Sequence, residues 1–217
     1  MYLVFFDVDD TLIKGQSQKY LIEYLFKKRL IKFHVFIRIY FWFFLYRIGL
    51  VKNSIYVAKK AYLMCKGWSQ QYMNTVMDDF FNSVIKNKFY KKSLDLINYH
   101  KRSGAKIILI SSSLYPIISR IKDFLNLDEV IATRLDLVNN IYNGLVNGCV
   151  VYGDNKIDLV NQFIKSNHFS LASSYAYSDH LSDIGLMRLV DNPVIVNPSK
   201  QLYQMSINYN WRVEYIK

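Results

Sequence analysis

The stretch Met1-Tyr2-Leu3-Val4-Phe5-Phe6-Asp7-Val8-Asp9-Asp10-Thr11 sets an apolar run directly against three aspartates. The apolar part has no basic leader and reads as a buried strand, not a signal peptide. Asp7 and Asp9 stand two residues apart, so in an extended chain their side chains project to the same side. Two carboxylates placed this way repel each other unless a cation or a proton lies between them, which points to chemistry and away from a plain turn. One can attack an electrophile while the other moves protons. Asp10 reads as a solvated loop end.

From about residue 89 onward, amphipathic helices alternate with short apolar strands, the pattern of βαβ units and a parallel sheet. The predicted order is helix 92–102, strand 106–110, helix 116–125, strands 130–137 and 148–152, helix 157–166, strand 174–178, helix 181–190 and a final strand 194–196. Ser103-Gly104 stops the first helix, and Asn139-Asn140 and Asn143-Gly144 are turn signals between the paired strands.

Several polar residues then fall at or just beyond the C-terminal ends of apolar strands, where open parallel sheets place their ligands. Ser111 and Ser112 follow one strand and can hold phosphate oxygens through hydroxyl and backbone N–H groups. Lys156 begins a helix and can neutralise charge on a transferring phosphoryl group. Asp179 and Asp183 follow a later strand and offer the oxygen ligands that a hard cation such as Mg²⁺ requires. Asp154 and Asp158 have the same spacing, but choosing them would leave only Lys122 as the lysine and give the later strand no role. His180 lies inside the Asp179/Asp183 motif and reads as an exposed loop histidine, because Mg²⁺ prefers oxygen; His34, His100 and His168 have no constellation.

In order, Asp7-x-Asp9-x-Thr11, Ser111, Lys156 and Asp179-x-x-x-Asp183 resemble the motif series of the haloacid dehalogenase (HAD) superfamily. The resemblance spans nearly the whole chain and lies with subfamily IB, the phosphoserine-phosphatase-like and phosphatidylglycerophosphatase-like phosphatases. Val194-Ile195-Val196-Asn197-Pro198 and the late Trp211 are similar to that subfamily's ending. Each motif alone is weak; four in order on suitable elements are not. The resemblance implies an α/β fold with a Rossmann-like core of residues 1–13 and 86–217 and a helical C1-type cap inserted at 14–85. It implies that Asp7 attacks phosphorus, that Asp9 donates and later accepts the proton, and that Thr11, Ser111, Ser112 and Lys156 serve the phosphoryl group. Asp7, the backbone carbonyl of Asp9 and Asp179 would hold Mg²⁺, with Asp183 behind them. Phosphoserine phosphatases carry a glutamate nine residues after the nucleophile to recognise an amine; here that position is Gln16, which cannot supply the charge.

The net charge of +11 is not spread evenly: between Lys14 and Lys66 there are 12 Lys or Arg against Glu23 alone, and the rest of the chain is neutral. No nucleic-acid motif accompanies this charge, and no nucleic-acid partner is expected. The same segment holds Phe33 to Tyr46, in which eight of fourteen residues are aromatic. A span over residues 30–51 would carry Lys32, Arg38 and Arg47, and the central arginine opposes it. Two readings stand for the insert at 14–66: a surface for anionic lipid, with Lys27, Lys28, Arg29, Lys32, Lys52, Lys59 and Lys60 facing the headgroups, or a packed cap with outward-pointing bases. Cys65 and Cys149 lack Cys-x-x-Cys spacing and support neither a disulfide framework nor a thiolate metal site. The expected location is cytoplasmic, or peripheral on the inner face of the membrane. The expected function is hydrolysis of a phosphorylated substrate, either a lipid phosphate such as phosphatidylglycerophosphate or a small soluble, phosphoserine-like metabolite. A different class is a membrane-surface or nucleic-acid binding module on an inactive HAD scaffold.

Overall fold

The computed structural model describes residues 1–51 and 53–217; Lys52, one of the insert's bases, lies outside them. The elements run β1 (Leu3–Phe6), α1 (Ser17–Lys27), α2 (Phe33–Arg47), α3 (Ser54–Tyr62), α4 (Gln70–Ser83), α5 (Lys91–Arg102), β2 (Lys106–Leu114), α6 (Tyr115–Leu125), β3 (Glu129–Val138) and β4 (Ile141–Asn147). They continue with α7 (Asp154–Asn167), β5 (Tyr175–Ser178), α8 (Ile184–Leu189), β6 (Asn192–Val196), α9 (Lys200–Asn208) and β7 (Arg212–Glu214).

The strands form one sheet in the order β4-β3-β2-β1-β5-β6-β7, with every neighbour pair parallel except β3 and β4. β1 is central, and its residues are buried on both faces, as a parallel strand covered by helices on each side must be. Val4 and Phe6 enter one apolar cluster with Ile107 and Leu109, while Leu3 and Phe5 enter the other with Ile108 and Ile110. The chain leaves β1 toward β2 on one side and returns as β5 on the other. This order puts a topological switch point, and hence a crevice, beyond the C-terminal end of β1.

Three expectations are corrected. Residues 148–152 form no strand; the partner of β3 is β4, Ile141–Asn147. The hairpin turn is Asn139-Asn140, with φ of 52° and 63°, the paired positive values a two-residue type I′ turn needs. Asn143-Gly144 lies within β4, where a Cβ on Gly144 would come within 3.2 Å of the Leu63 backbone, so this glycine permits close packing and not a turn. Finally, 194–196 is not the last strand: β7 adds to the sheet beside β6, and the Asn197 side chain accepts from the backbone N–H of Ile216 at 3.0 Å, holding the tail there.

Between β1 and β2 the chain is mainly helical. Asn53 and Ser69 cap α3 and α4 by accepting from Tyr56 and Tyr72 N–H, at 3.0 and 3.1 Å. Among the described residues no helix is long and apolar enough to cross a membrane. α2, the aromatic helix, has 15 residues, short of the roughly 20 a span requires.

His100, on α5, is 1% exposed, and its ring bonds the hydroxyls of Tyr2 and Tyr177 at 2.9 and 2.8 Å. Burial, with a smaller contribution from Arg212, lowers its pKa to about 4. Its folded value lies below that of the free side chain, so the neutral ring contributes stability above the unfolded pKa. That contribution is lost as pH falls toward about 4. The thermal midpoint of the wild type should therefore drop more steeply between neutral pH and pH ~4 than that of His100→Gln. Parallel curves for the two proteins would exclude this histidine as a source of the acid sensitivity.

Candidate active site

A tight loop turns the end of β1 into a ligand-facing ledge. The Asp7 N–H donates to the Tyr177 carbonyl at 2.9 Å and extends the β1/β5 ladder by one step. Leu12 and Ile13 N–H then close back on the Val8 carbonyl at 2.8 and 3.0 Å, burying Val8, Leu12 and Ile13 beneath the loop. Asp10, expected as a solvated loop end, sits at φ 54° and accepts from Gly15 N–H at 3.0 Å, which locks the loop at the rim of the cavity. Asp9 is held by the first turn of α1: its carboxylate accepts from Ser17 N–H at 2.8 Å and from the Ser113 hydroxyl at 3.1 Å. A helix N-terminus offers free N–H groups and partial positive charge, so it suits a carboxylate.

Lys156, in the first turn of α7, is 3% exposed and donates to Asp7 Oδ1 at 2.8 Å and Asp183 Oδ2 at 2.7 Å. The Ser178 hydroxyl donates to the same Asp183 oxygen at 2.6 Å, and Thr11 Oγ1 donates to Asp179 Oδ1 at 3.1 Å. Burial opposes the charge on Lys156, but Asp183 and Asp7 outweigh it and raise the pKa. Burial raises Asp7 well above the usual carboxylate range; Lys156 pulls it down, and Asp183 and Asp179 push it further up. Asp179 is lifted to about 6, first by burial and then by Asp10 and Asp183, against the Thr11 hydroxyl. Asp9 is also raised by burial, with the Ser17 and Ser113 bonds acting the other way.

Asp7, Asp9, Asp179, Asp183, Lys156 and Ser112 share a cavity of about 170 Å³. Ser111 differs from its expected place. β2 continues past it to Leu114, with a register shift between the two, and the buried Ser111 hydroxyl accepts from Ser113 N–H at 3.2 Å without lining the cavity. The Ser112 carbonyl accepts from Thr133, Tyr62 and Gln18 at 2.8, 2.9 and 3.1 Å, which pins this end of the strand. Asp154 and Asp158 are exposed on α7 and line no part of the cavity. Ser17, Ser113 and Ser178 were not foreseen. Ser113 shares the two-residue spacing of Asp7 and Asp9, and Ser178 directly precedes Asp179, so both carried a local signal. Ser17 did not.

A larger chamber of about 590 Å³ adjoins this cavity and shares Gln16, Gln18, Ser112, Tyr152 and His180 with it. Its walls are mainly apolar and aromatic, with Tyr40, Phe43 and Phe44 from α2, and Lys19 and Arg47 are its charged residues; no acid lines it.

Five aspartates and a single lysine line the smaller cavity, so its carboxylates outnumber its one ammonium; burial first, and neighbouring carboxylates after it, raise Asp7 and Asp179. Among the described residues no three His, Cys, Asp or Glu side chains form a metal cage by themselves. The donors expected for Mg²⁺ are two carboxylates, Asp7 and Asp179, and the Asp9 backbone carbonyl. Mg²⁺ keeps several waters and takes few protein ligands, so this all-oxygen, charge-rich set fits it.

Comparison with known proteins follows the same line. Phosphoserine phosphatase SerB1 of Mycobacterium tuberculosis is 26% identical over 217 residues, covering 96% of this chain and 69% of the relative. The inhibition of morphological differentiation protein of Streptomyces azureus is 26% identical over 214 residues, covering 96% and 76%. A crystal structure of a Bordetella pertussis Tohama I protein of unknown function superposes with a TM-score of 0.90 at 22% identity, covering 98% and 97%. The haloacid dehalogenase-like hydrolase family matches residues 4–188, and the chain belongs to that family.

Proposed function

We propose that the protein is a Mg²⁺-dependent phosphomonoester hydrolase that works through an aspartyl-phosphate at Asp7. The observation that carries this reading is the buried Lys156 bonded to Asp7 and Asp183 at once, in a cavity that five aspartates also line. A similar relative, phosphoserine phosphatase SerB1, supports the reaction class. In this reading residues 1–13 and 86–217 form the catalytic core, and 14–85 form a cap over it.

An Asp7 oxygen attacks phosphorus and the ester P–O bond breaks. Its electron pair goes to the leaving oxygen, which takes the proton of Asp9. Burial favours the protonated form of Asp9, as a general acid requires. Water then attacks the acyl phosphate, returns a proton to Asp9 and releases inorganic phosphate with Asp7 regenerated. Lys156 neutralises phosphoryl charge, Ser112 borders the phosphoryl group, Ser111 supports this end of β2 through its bond from Ser113 N–H, and Thr11 orients Asp179. Asp7, the Asp9 carbonyl and Asp179 would hold Mg²⁺, backed by Asp183; when bound it keeps the carboxylates ionised and draws charge from the transferring group.

For the substrate, the chamber supports a lipid phosphate monoester such as phosphatidylglycerophosphate over a phosphoserine-like metabolite. It is large and aromatic, and no carboxylate lines it to meet an amine. The test is a screen pairing lipid phosphates with soluble ones. Faster turnover of a small soluble amino-alcohol phosphate would reverse the preference.

Asp7→Asn should abolish turnover of a generic aryl phosphate. Asp9→Asn should slow it by about 10²–10⁴-fold and let phospho-enzyme accumulate in a rapid-quench assay. Chelation by EDTA should remove activity and added Mg²⁺ restore it, with Asp179→Asn requiring more Mg²⁺ than the wild type. Full activity in EDTA would contradict the metal assignment.

A further inference from the structure

α2 is apolar on all sides, yet only part of it is covered. At 100° per residue Phe33, Ile37, Phe41, Phe44 and, just past the helix end, Ile48 fall within an arc of about 80°. They are 65, 47, 53, 55 and 50% exposed. The other side is packed: Ile39 is buried, Phe36 stacks on Phe26 of α1 at 4.2 Å between ring centroids, and Trp42 meets Tyr56 of α3 at 5.2 Å. Single exposed apolar residues are ordinary on protein surfaces; five on successive turns of one helix form a patch that needs an occupant.

We propose that this face of α2 is a seat for an anionic lipid surface. Charge complementarity selects the occupant. Arg47 flanks the stripe on one side, and His34 and Arg38 on the other. Arg29 and Lys32, both exposed, precede its first residue, while Lys28 beside them is paired with Asp79 at 2.8 Å. Between Lys14 and Lys66 the sole acid is Glu23, which already accepts from the Tyr40 hydroxyl at 3.0 Å. A second copy seated here would bring two such basic surfaces together, and like charges at an interface oppose association. An anionic bilayer supplies both an apolar phase and the countercharge, and aromatic side chains favour its headgroup boundary.

The stripe is also continuous with the chamber: Phe44 belongs to both, and Arg47 lines the chamber while flanking the stripe. A protein seated on α2 holds the chamber's entrance at the lipid surface, beside a phosphate ester carried there. This link to catalysis rests on the phosphatase reading; the seat does not.

The test is cosedimentation with vesicles of phosphatidylglycerol and phosphatidylcholine, against phosphatidylcholine alone, at low and high salt. The wild type should bind the anionic vesicles at low salt, and binding should fall by about tenfold or more on pure phosphatidylcholine or at high salt. Ile37→Ser/Phe41→Ser, outside the chamber, should lower binding by about tenfold or more, while thermal midpoint and hydrolysis of a soluble aryl phosphate stay unchanged. Phe33→Ser/Ile48→Ser should do the same, guarding against a local defect in one variant. No binding at low salt, binding that ignores both double variants, or concentration-dependent self-association that the variants abolish would each overturn the seat. Vesicle binding without any aryl phosphate hydrolysis would uphold the seat and remove the catalytic reading; hydrolysis without binding would do the opposite.

Discussion

An ammonium group 3% exposed, with carboxylates at 2.8 and 2.7 Å, stays charged because both partners are built into the fold around it. Moving a lysine out of water costs several kcal/mol, and removing one member of a buried pair typically costs about 3–5 kcal/mol. Here the three groups come from the loop after β1, the first turn of α7 and the segment after β5. Lys156 therefore ties together three distant segments that all reach the switch point of the sheet, and their register is set by where the charges must meet. The arrangement remains unbalanced, since Asp179 is a further carboxylate beside the single ammonium. On the proposed reading, such a site is stable in its own fold yet poised for a cation and a phosphoryl group together.

The supports around the carboxylates are short and local. Asp9 is seated on the first turn of α1, Asp183 is bonded by Ser178 and Asp179 by Thr11. The Ser111–Ser113 end of β2 is pinned through one carbonyl that accepts three donors, from α1, α3 and β3. Charge-assisted and multiple hydrogen bonds of this kind restrict side-chain freedom before any substrate arrives, which is what a reaction depending on alignment needs.

Much of this was legible in the sequence because it depends on adjacency. Asp7 follows an apolar run, Lys156 begins a helix, and Asp179 follows a strand, so each could be placed by local pattern alone. The rest depends on tertiary contact. Ser17 acts through its backbone N–H, a group every residue but proline possesses. Gly144 resembles a turn glycine until Leu63 is seen against it. Residues 148–152 are apolar because Val150 and Val151 are buried, not because they pair in a strand. β7 is three residues long, too short to show a period, and exists because β6 offers it an edge. The aromatic run was readable as apolar, but which face it buries was not, since a helix apolar on every side has no pattern to read.

On the proposed reading the insert does more than cover the core. Gln18, next to Ser17, donates to both Tyr62 of α3 and the Ser112 carbonyl, and it lines both the cavity and the chamber. The turn of α1 that holds Asp9 is thus the same turn a leaving group in the chamber would touch. On the proposed reading, contact with the leaving group acts on the residue that must give it a proton, so remote binding is turned into alignment at the reacting centre. On the same reading Gln16 is placed to meet the leaving group through a neutral amide. It stands at the meeting of the two spaces, where a carboxylate would add a sixth aspartate-like charge to a cavity already short of cations. A neutral amide leaves the negative charge where the phosphoryl chemistry uses it and leaves Lys19 and Arg47 as the charges the leaving group meets.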